Sequence, residues 1–123
     1  MSCRIVICDD QPSFREVLGL MLGIEGDFEV VGEAGNGRDA IELVRELQPD
    51  VLLLDIAMPV MDGLEALPAI REASPDTRVV MLTGLASEAI RERALAAGAT
   101  LFIEKGTDIA TLARRVREVC ASG

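Results

Sequence analysis

The stretch "VLLLDIAMPVMDG" (Val51–Gly63) opens with four apolar residues, stops at a carboxylate, Asp55, and turns at Pro59, two residues beyond Ala57. An unbroken apolar run of this length, closed by turn signals, reads as a strand covered on both faces, as in a parallel sheet. Ligands of open α/β sheets sit outside the carboxyl ends of the strands. A charge delivered there is placed for chemistry.

The same alternation of strand and helix extends in both directions from this segment. "RIVIC" (Arg4–Cys8) is a second continuously apolar strand, and Pro12 suits the first turn of the helix that follows. Phe14, Val17, Leu18, Met21 and Leu22 predict one buried stripe on that helix. "FEVVGEA" is a strand, and Asn36 is placed to cap a helix carrying Ala40, Ile41, Val44 and Leu47, which Pro49 ends. Asp62 and Glu65 have capping-box spacing for a third helix. Pro68 conflicts with that register unless the helix starts late or kinks. "RVVMLTG" is the fourth strand, Ser87 to Ala97 a helix stopped by Gly98, and "TLFIEK" the fifth strand. Thr107 or Asp108 then caps a last helix with Ile109, Leu112, Ala113, Val116, Val119 and Cys120 on its buried side.

Five strand-helix units predict an open, doubly wound parallel sheet with helices on both faces, since right-handed crossovers place them there. A closed eight-stranded barrel typically needs about 250 residues. This chain has 123, half of them apolar, which fits one domain over residues 1–123. No apolar run approaches the roughly 20 residues of a membrane crossing, and no secretory leader precedes "RIVIC", so a cytoplasmic location is expected. With 21 acidic against 12 basic side chains the domain should repel phosphate backbones, and its partners are expected to be proteins. Cys3, Cys8 and Cys120 are odd in number, lack CxxC spacing and have no histidine beside them in the whole chain. They read as ordinary core or surface residues, with neither a disulfide framework nor a zinc site expected.

The strand ends gather the reactive groups: Asp9 and Asp10 after the first, Asp55 after the third, Thr83 and Gly84 after the fourth, Lys105 and Gly106 after the fifth. Three adjacent carboxylates repel unless a cation lies among them, and magnesium suits one or two carboxylates, waters and a phosphoryl oxygen. Asp10 and Asp55 are the candidate direct ligands, Asp9 holds a water, and the Ala57 carbonyl is a further ligand. Lys105 offers a positive charge and Thr83 a hydroxyl to the remaining phosphoryl oxygens. With no histidine in the chain, the expected nucleophile is a carboxylate, and Asp55 is central. Taken singly, each residue has an ordinary explanation as a loop acid, a solvated lysine or a core aromatic. Jointly, at strand ends one, three, four and five, they do not.

From "ICDD" through "LLLDIAMPVMDG" and "VVMLTG" to "FIEK", the chain resembles the receiver domains of bacterial response regulators over essentially its whole length. The resemblance implies the flavodoxin-like strand order 2-1-3-4-5, and phosphoryl transfer from the phosphohistidine of a sensor histidine kinase to Asp55. It further implies Mg2+ at Asp9, Asp10, Asp55 and the Ala57 carbonyl, and acyl-phosphate contacts from Lys105 and Thr83. Phe102, three residues before Lys105, falls on the family's aromatic switch position. Gly106 stands where many members carry a proline, as in many regulators with a helix-turn-helix output domain.

Phosphorylation in such a domain is expected to alter the surface of the fourth helix, fifth strand and fifth helix. Arg114, Arg115 and Arg117 form a basic cluster there, and Glu88 and Glu92 lie on the neighbouring helix, which suggests a phosphorylation-promoted homodimer. Ala57 and Leu85 match positions flanking the path of attacking water in the family, and neither can orient it, so slow self-dephosphorylation is expected. Leu20, at the edge of the first helix's stripe, is a candidate kinase contact. Two rivals remain. A magnesium-dependent aspartyl phosphatase would carry a second acid where Ala57 stands, so the domain is expected to assist its own phosphorylation and dephosphorylation rather than act as a turnover enzyme. A degenerate receiver binding partners without phosphorylation is disfavoured by the intact Asp9, Asp10, Asp55, Thr83 and Lys105.

Overall fold

In the computed structural model, which describes residues 2–84 and 87–121, Val51–Leu54 forms a strand with every residue buried. Its side chains alternate between two cores. Leu52 and Leu54 pack into one, with Ala40, Val44, Leu67 and Ile70, whereas Val51 and Leu53 pack into the other, with Leu18, Leu22, Leu112 and Val116. That double coverage is why the segment shows no polar-apolar alternation.

The elements run β1 (Cys3–Cys8), α1 (Pro12–Ile24), β2 (Phe28–Ala34), α2 (Gly37–Leu47), β3 (Val51–Leu54), α3 (Gly63–Ala73), β4 (Arg78–Thr83), α4 (Glu88–Ala96), β5 (Leu101–Glu104) and α5 (Ile109–Ala121). The strands form one parallel sheet in the order β2-β1-β3-β4-β5, as the resemblance implied. The sequence order reverses between β1 and β3, so a crevice opens at their carboxyl ends.

α1 opens at Pro12 with no side-chain cap, whereas the other four helix starts follow side chains that satisfy their free N–H groups. Asn36 accepts from Asp39 N at 2.9 Å, Ser87 from Ile90 N at 3.2 Å and Asp108 from Thr111 N at 2.9 Å. Asp62 and Glu65 form the reciprocal capping box, at 2.8 and 3.2 Å. That box holds the start of α3 at Gly63, so the conflict with Pro68 is resolved inside the helix. Pro68 is exposed and, lacking an N–H, cannot donate to the Leu64 carbonyl four residues back.

Two expectations are corrected. Of the stripe predicted on α1, only Leu18 and Leu22 are buried; Phe14 is half-buried, and Val17 and Met21 are exposed. The apolar arc is wider than the side that meets the sheet, so periodicity overstated burial. Cys3 and Cys120, read as unpaired, form a disulfide across a sequence separation of 117. The first residue of β1 and the last turn of α5 are neighbours only in the folded chain, so no local spacing announces the pair. Cys8 is the free cysteine among the described residues, and burial, followed by the nearby Asp9 charge, pushes its thiol up to about 12. It behaves as a small apolar residue.

Candidate functional site

Sheet register delivers the predicted residues to one crevice. Asp55 N donates to Cys8 O at 3.0 Å, which sets Asp55 beside the end of β1, and Lys105 N donates to Thr83 O at 2.9 Å, which sets Lys105 beside the end of β4. Asp10, Gln11, Asp55, Ala57, Thr83, Gly84 and Lys105 line a single cavity of about 340 Å³. Asp9 and Asp55 are buried and Asp10 is exposed.

The two buried acids, Asp9 and Asp55, are held in place. Asp9 Oδ1 accepts the Gln11 N–H at 2.9 Å, and Asp55 Oδ1 accepts the Ile56 N–H at 2.7 Å. Lys105 Nζ donates to Asp55 Oδ2 at 2.9 Å and lies 2.5 Å from Asp9 Oδ2. Burial opposes the charge on Lys105, but the adjacent Asp9 and Asp55 carboxylates prevail and hold its pKa above the ordinary lysine value.

The donor set fits a hard divalent cation. One carboxylate oxygen from each of Asp9, Asp10 and Asp55 lies within 4.8 Å of the others, against about 4.2 Å between opposite ligands of a magnesium octahedron. The buried Asp9 Oδ2 touches Lys105 Nζ but makes no directed hydrogen bond, so it retains accepting capacity.

Three supporting residues escaped the sequence reading as parts of the site. The ring of Phe14 lies 4.5 Å from Lys105 Nζ, beneath the ammonium, a cation-π contact from a residue read only as stripe. Gly63 starts α3 directly under the end of β3: a Cβ there would stand 2.1 Å from Asp55 O, and its N–H donates to Ile56 O at 2.9 Å. Val60 adopts φ 69° in the loop that carries Ala57. The "MDG" and "MPV" triplets were visible, but the close approach that constrains them was not.

Other predicted residues fall less uniformly. Phe102 is buried in the core facing α4 and also lines a depression with Glu88, Arg91 and Arg115. Arg117 is removed from the proposed basic cluster: it pairs with Asp27 and with Glu25 (3.3 Å), across the α1–β2 loop. Two residues along a helix is about 200° of rotation, so Arg115 and Arg117 face different ways. Leu20 is 65% exposed, more so than a stripe edge implies. Leu85 lies outside the described residues.

These features define a class: an open doubly wound α/β domain with a lysine-bridged acidic crevice at its strand ends. The family model described as response regulator receiver domain matches residues 5–117, and the chain belongs to that family, the receiver domains of two-component systems. The chain is 36% identical over 120 residues to the transcriptional regulatory protein LnrK of Bacillus subtilis, covering 98% of this chain and 54% of that protein. It thus spans about half the length of this curated relative. Its fold superposes with a TM-score of 0.93 on the signal receiver domain of the putative response regulator NarL from Mycobacterium tuberculosis, at 36% identity, covering 99% of this chain and 98% of that one. A CheX-CheY-BeF3-Mg complex from Borrelia burgdorferi matches at TM-score 0.88 and 30% identity, over 95% of this chain and 88% of that one.

Proposed function

We propose that this domain is a phosphorylation-controlled switch in which Asp55 takes a phosphoryl group from the phosphohistidine of a sensor histidine kinase. The observation that carries it is the bridge from Lys105 Nζ to Asp55 and Asp9 in a crevice also lined by Asp10 and Thr83. A carboxylate oxygen of Asp55 attacks phosphorus, the O–P bond forms as the P–N bond breaks, and the departing imidazole nitrogen keeps the electron pair. The Ile56 N–H and Lys105 orient Asp55 for that attack. Lys105 then moves its charge from Asp55 Oδ2 to a phosphoryl oxygen, and the Thr83 hydroxyl donates to another. Mg2+ would be held by Asp10, Asp55 and the Ala57 carbonyl, with Asp9 through a water, and supplies neutralising charge to the phosphoryl oxygens.

Support for kinase docking comes from α1, whose Val17, Leu20, Met21 and Ile24 are exposed. An apolar groove of about 270 Å³ runs from Phe14, Val17 and Met21 to Lys105 and Ile109, so a partner seated there reaches the crevice. The output surface is the α4-β5-α5 face, with Thr83 and Phe102 as the switch pair: movement of Thr83 toward the phosphoryl group lets the Phe102 ring repack. If the active arrangement is populated at a few per cent, a differential of about 3 to 5 kcal/mol makes it dominant. Arg114 and Arg115 remain available to pair with Glu88 and Glu92 of a second copy; light scattering that shows a monomer with and without an acyl-phosphate analogue overturns this dimer. An output domain is the remaining candidate partner, since the LnrK relative is a transcriptional regulator about twice as long. Ala57 is exposed at the crevice and offers no side-chain hydrogen bond to water, which favours a long-lived acyl phosphate; phosphate release within seconds overturns that lifetime.

Incubation with acetyl phosphate and Mg2+, read by intact mass, tests the proposal. One stable phosphoryl group, lost in Asp55→Asn, supports it. Continuous phosphate release indicates the hydrolase, and no labelling indicates the degenerate receiver.

A further inference from the structure

The disulfide between Cys3 and Cys120 takes no part in the crevice at the other end of the sheet. It joins the first residue of β1 to the last turn of α5, with a Cα–Cα distance of 6.2 Å that lies within the ordinary range for such a bond. Non-covalent fastenings lie beside it. Val119 is buried, while Arg117 pairs with Asp27 and Glu25 and stands 5.3 Å from the centroid of the Phe28 ring. The carboxylates and the guanidinium are partly exposed, and pairs of that kind contribute little. Among the described residues the sulfur bond is the one covalent cross-link to the end of α5.

That bond is within reach of small molecules. Cys120 is half-buried, and a cavity of about 330 Å³, lined by Cys3, Phe28, Asp50, Arg117 and Cys120, opens onto it. Cys120 also lines a second depression with Asp50, Arg71 and Arg78. Cys8 makes the contrast: it is buried, its thiol is pushed up to about 12, and no second cysteine is bonded to it.

We propose that Cys3 and Cys120 form a thiol-disulfide exchange site, a redox-reversible clamp that fastens the last turn of α5 to the start of β1 when oxidised and frees it when reduced. The oxidant is a low-molecular-weight disulfide. The Cys120 thiolate attacks one of its sulfurs and expels a small thiolate; the Cys3 thiolate then attacks the Cys120 sulfur and expels the second. Two cysteine thiols become one disulfide, the small disulfide becomes two thiols, and two electrons and two protons change hands. Because α5 belongs to the face assigned above to output, the clamp adds a redox input to that face; this extension rests on the phosphorylation reading, whereas the clamp does not. The same two sulfurs and an Asp50 carboxylate oxygen lie within 4.8 Å of one another, a set that zinc would also accept. The structure favours exchange over zinc, because the sulfurs are already bonded and Asp50 Oδ2 accepts the Arg4 N–H at 2.8 Å.

The test equilibrates the full chain in graded mixtures of reduced and oxidised glutathione, with thiols counted by alkylation and intact mass. The expected result is a reversible passage between the bonded and dithiol forms while the fold persists. Reduction, or Cys120→Ser, should speed backbone hydrogen exchange in the last turn of α5 about tenfold or more. The thermal midpoint should fall by about 10 °C or more, as expected for opening a loop of this length. A pair that stays bonded until the protein unfolds, a pair that never bonds, or reduction without faster exchange in α5 each overturns the clamp. So does stoichiometric zinc that blocks oxidation of the reduced protein. Acetyl phosphate labelling of Asp55, run in parallel, separates the two readings: lost labelling with an intact clamp removes only the link to output, and the reverse removes only the clamp.

Discussion

Lys105 Nζ stands 2.9 Å from Asp55 Oδ2 and 2.5 Å from Asp9 Oδ2, so one ammonium holds together two buried carboxylates. Lys105→Ala leaves both acids facing each other without a counter-charge. Removing one partner of a fully buried pair costs about 3–5 kcal/mol, and the partial exposure of this lysine reduces that to about 1–3 kcal/mol. Urea unfolding should show that loss without divalent cation and recover much of it with Mg2+, which can occupy the charge deficit. Equal loss in both conditions would mean that the acids do not share a cation.

Gly63→Ala tests the close approach beneath Asp55. A Cβ at 2.1 Å from Asp55 O has only backbone to displace, so the start of α3 must move away from β3. The expected cost is about 3 kcal/mol, the upper range for overpacking, with slower acetyl phosphate labelling because the Ile56–Gly63 bond weakens. A variant as stable as the parent would show that the turn yields freely.

The exposed face of α1 separates docking from chemistry. Leu20 is 65% exposed and lies on the helix whose Phe14 contacts Lys105, yet it touches none of the crevice groups. Leu20→Ala should lower kcat/KM for phosphotransfer from a kinase by about tenfold, roughly the share of an interface anchor, and leave labelling by acetyl phosphate unchanged. Equal effects on both donors would place the defect in folding or in the crevice.

Acid should weaken the other end of the molecule. The bond from Arg117, opposed in part by burial, holds the Asp27 carboxyl below its usual value of 3.8. A depressed carboxylate contributes stability that is present above its unfolded value and is lost as pH falls through the folded one. Asp27→Asn should therefore be less stable than the parent at neutral pH, with the difference closing only below about pH 4. Midpoints from thermal unfolding at several pH values check this, and a gap that persists in strong acid would assign the loss to packing.

The fold was legible because each strand of the interior repeats the message of Val51–Leu54: continuous burial requires helices on both faces, and the caps at Asn36, Asp62, Ser87 and Asp108 mark where those helices begin. The crevice was legible because a parallel sheet brings all carboxyl ends to one edge, so Asp9, Asp10, Asp55, Thr83 and Lys105 needed no distance information to be grouped. What escaped depends on separations that a linear pattern does not carry. Cys3 and Cys120 sit at opposite ends of the chain, Arg117 turns toward Asp27 rather than α4, and Phe14 reads as helix stripe until the end of β5 is laid across it. Periodicity also assigned burial to Val17 and Met21, because it reports the width of an apolar arc and not how much of it a neighbour covers.

Val60 carries the last prediction. Met61 N donates to Pro59 O at 2.7 Å across Val60, a three-residue turn whose central φ is 69°. Such a turn is strained, and a β-branched side chain makes it more so. The strain is held because the next residues are anchored: Met61 O accepts the Gly37 N–H at 2.8 Å, and Gly63 N reaches Ile56 O. The Val60 side chain is 71% exposed, so its removal leaves no cavity. Val60→Gly should relieve about 1–3 kcal/mol of backbone strain and lose about 0.5–1 kcal/mol to the freer unfolded chain, a net gain near 1 kcal/mol. Chemical unfolding should show a higher midpoint with an unchanged slope. A lower midpoint would mean that the turn is comfortable for valine, and that the loop bearing the Ala57 carbonyl holds its shape without stored strain.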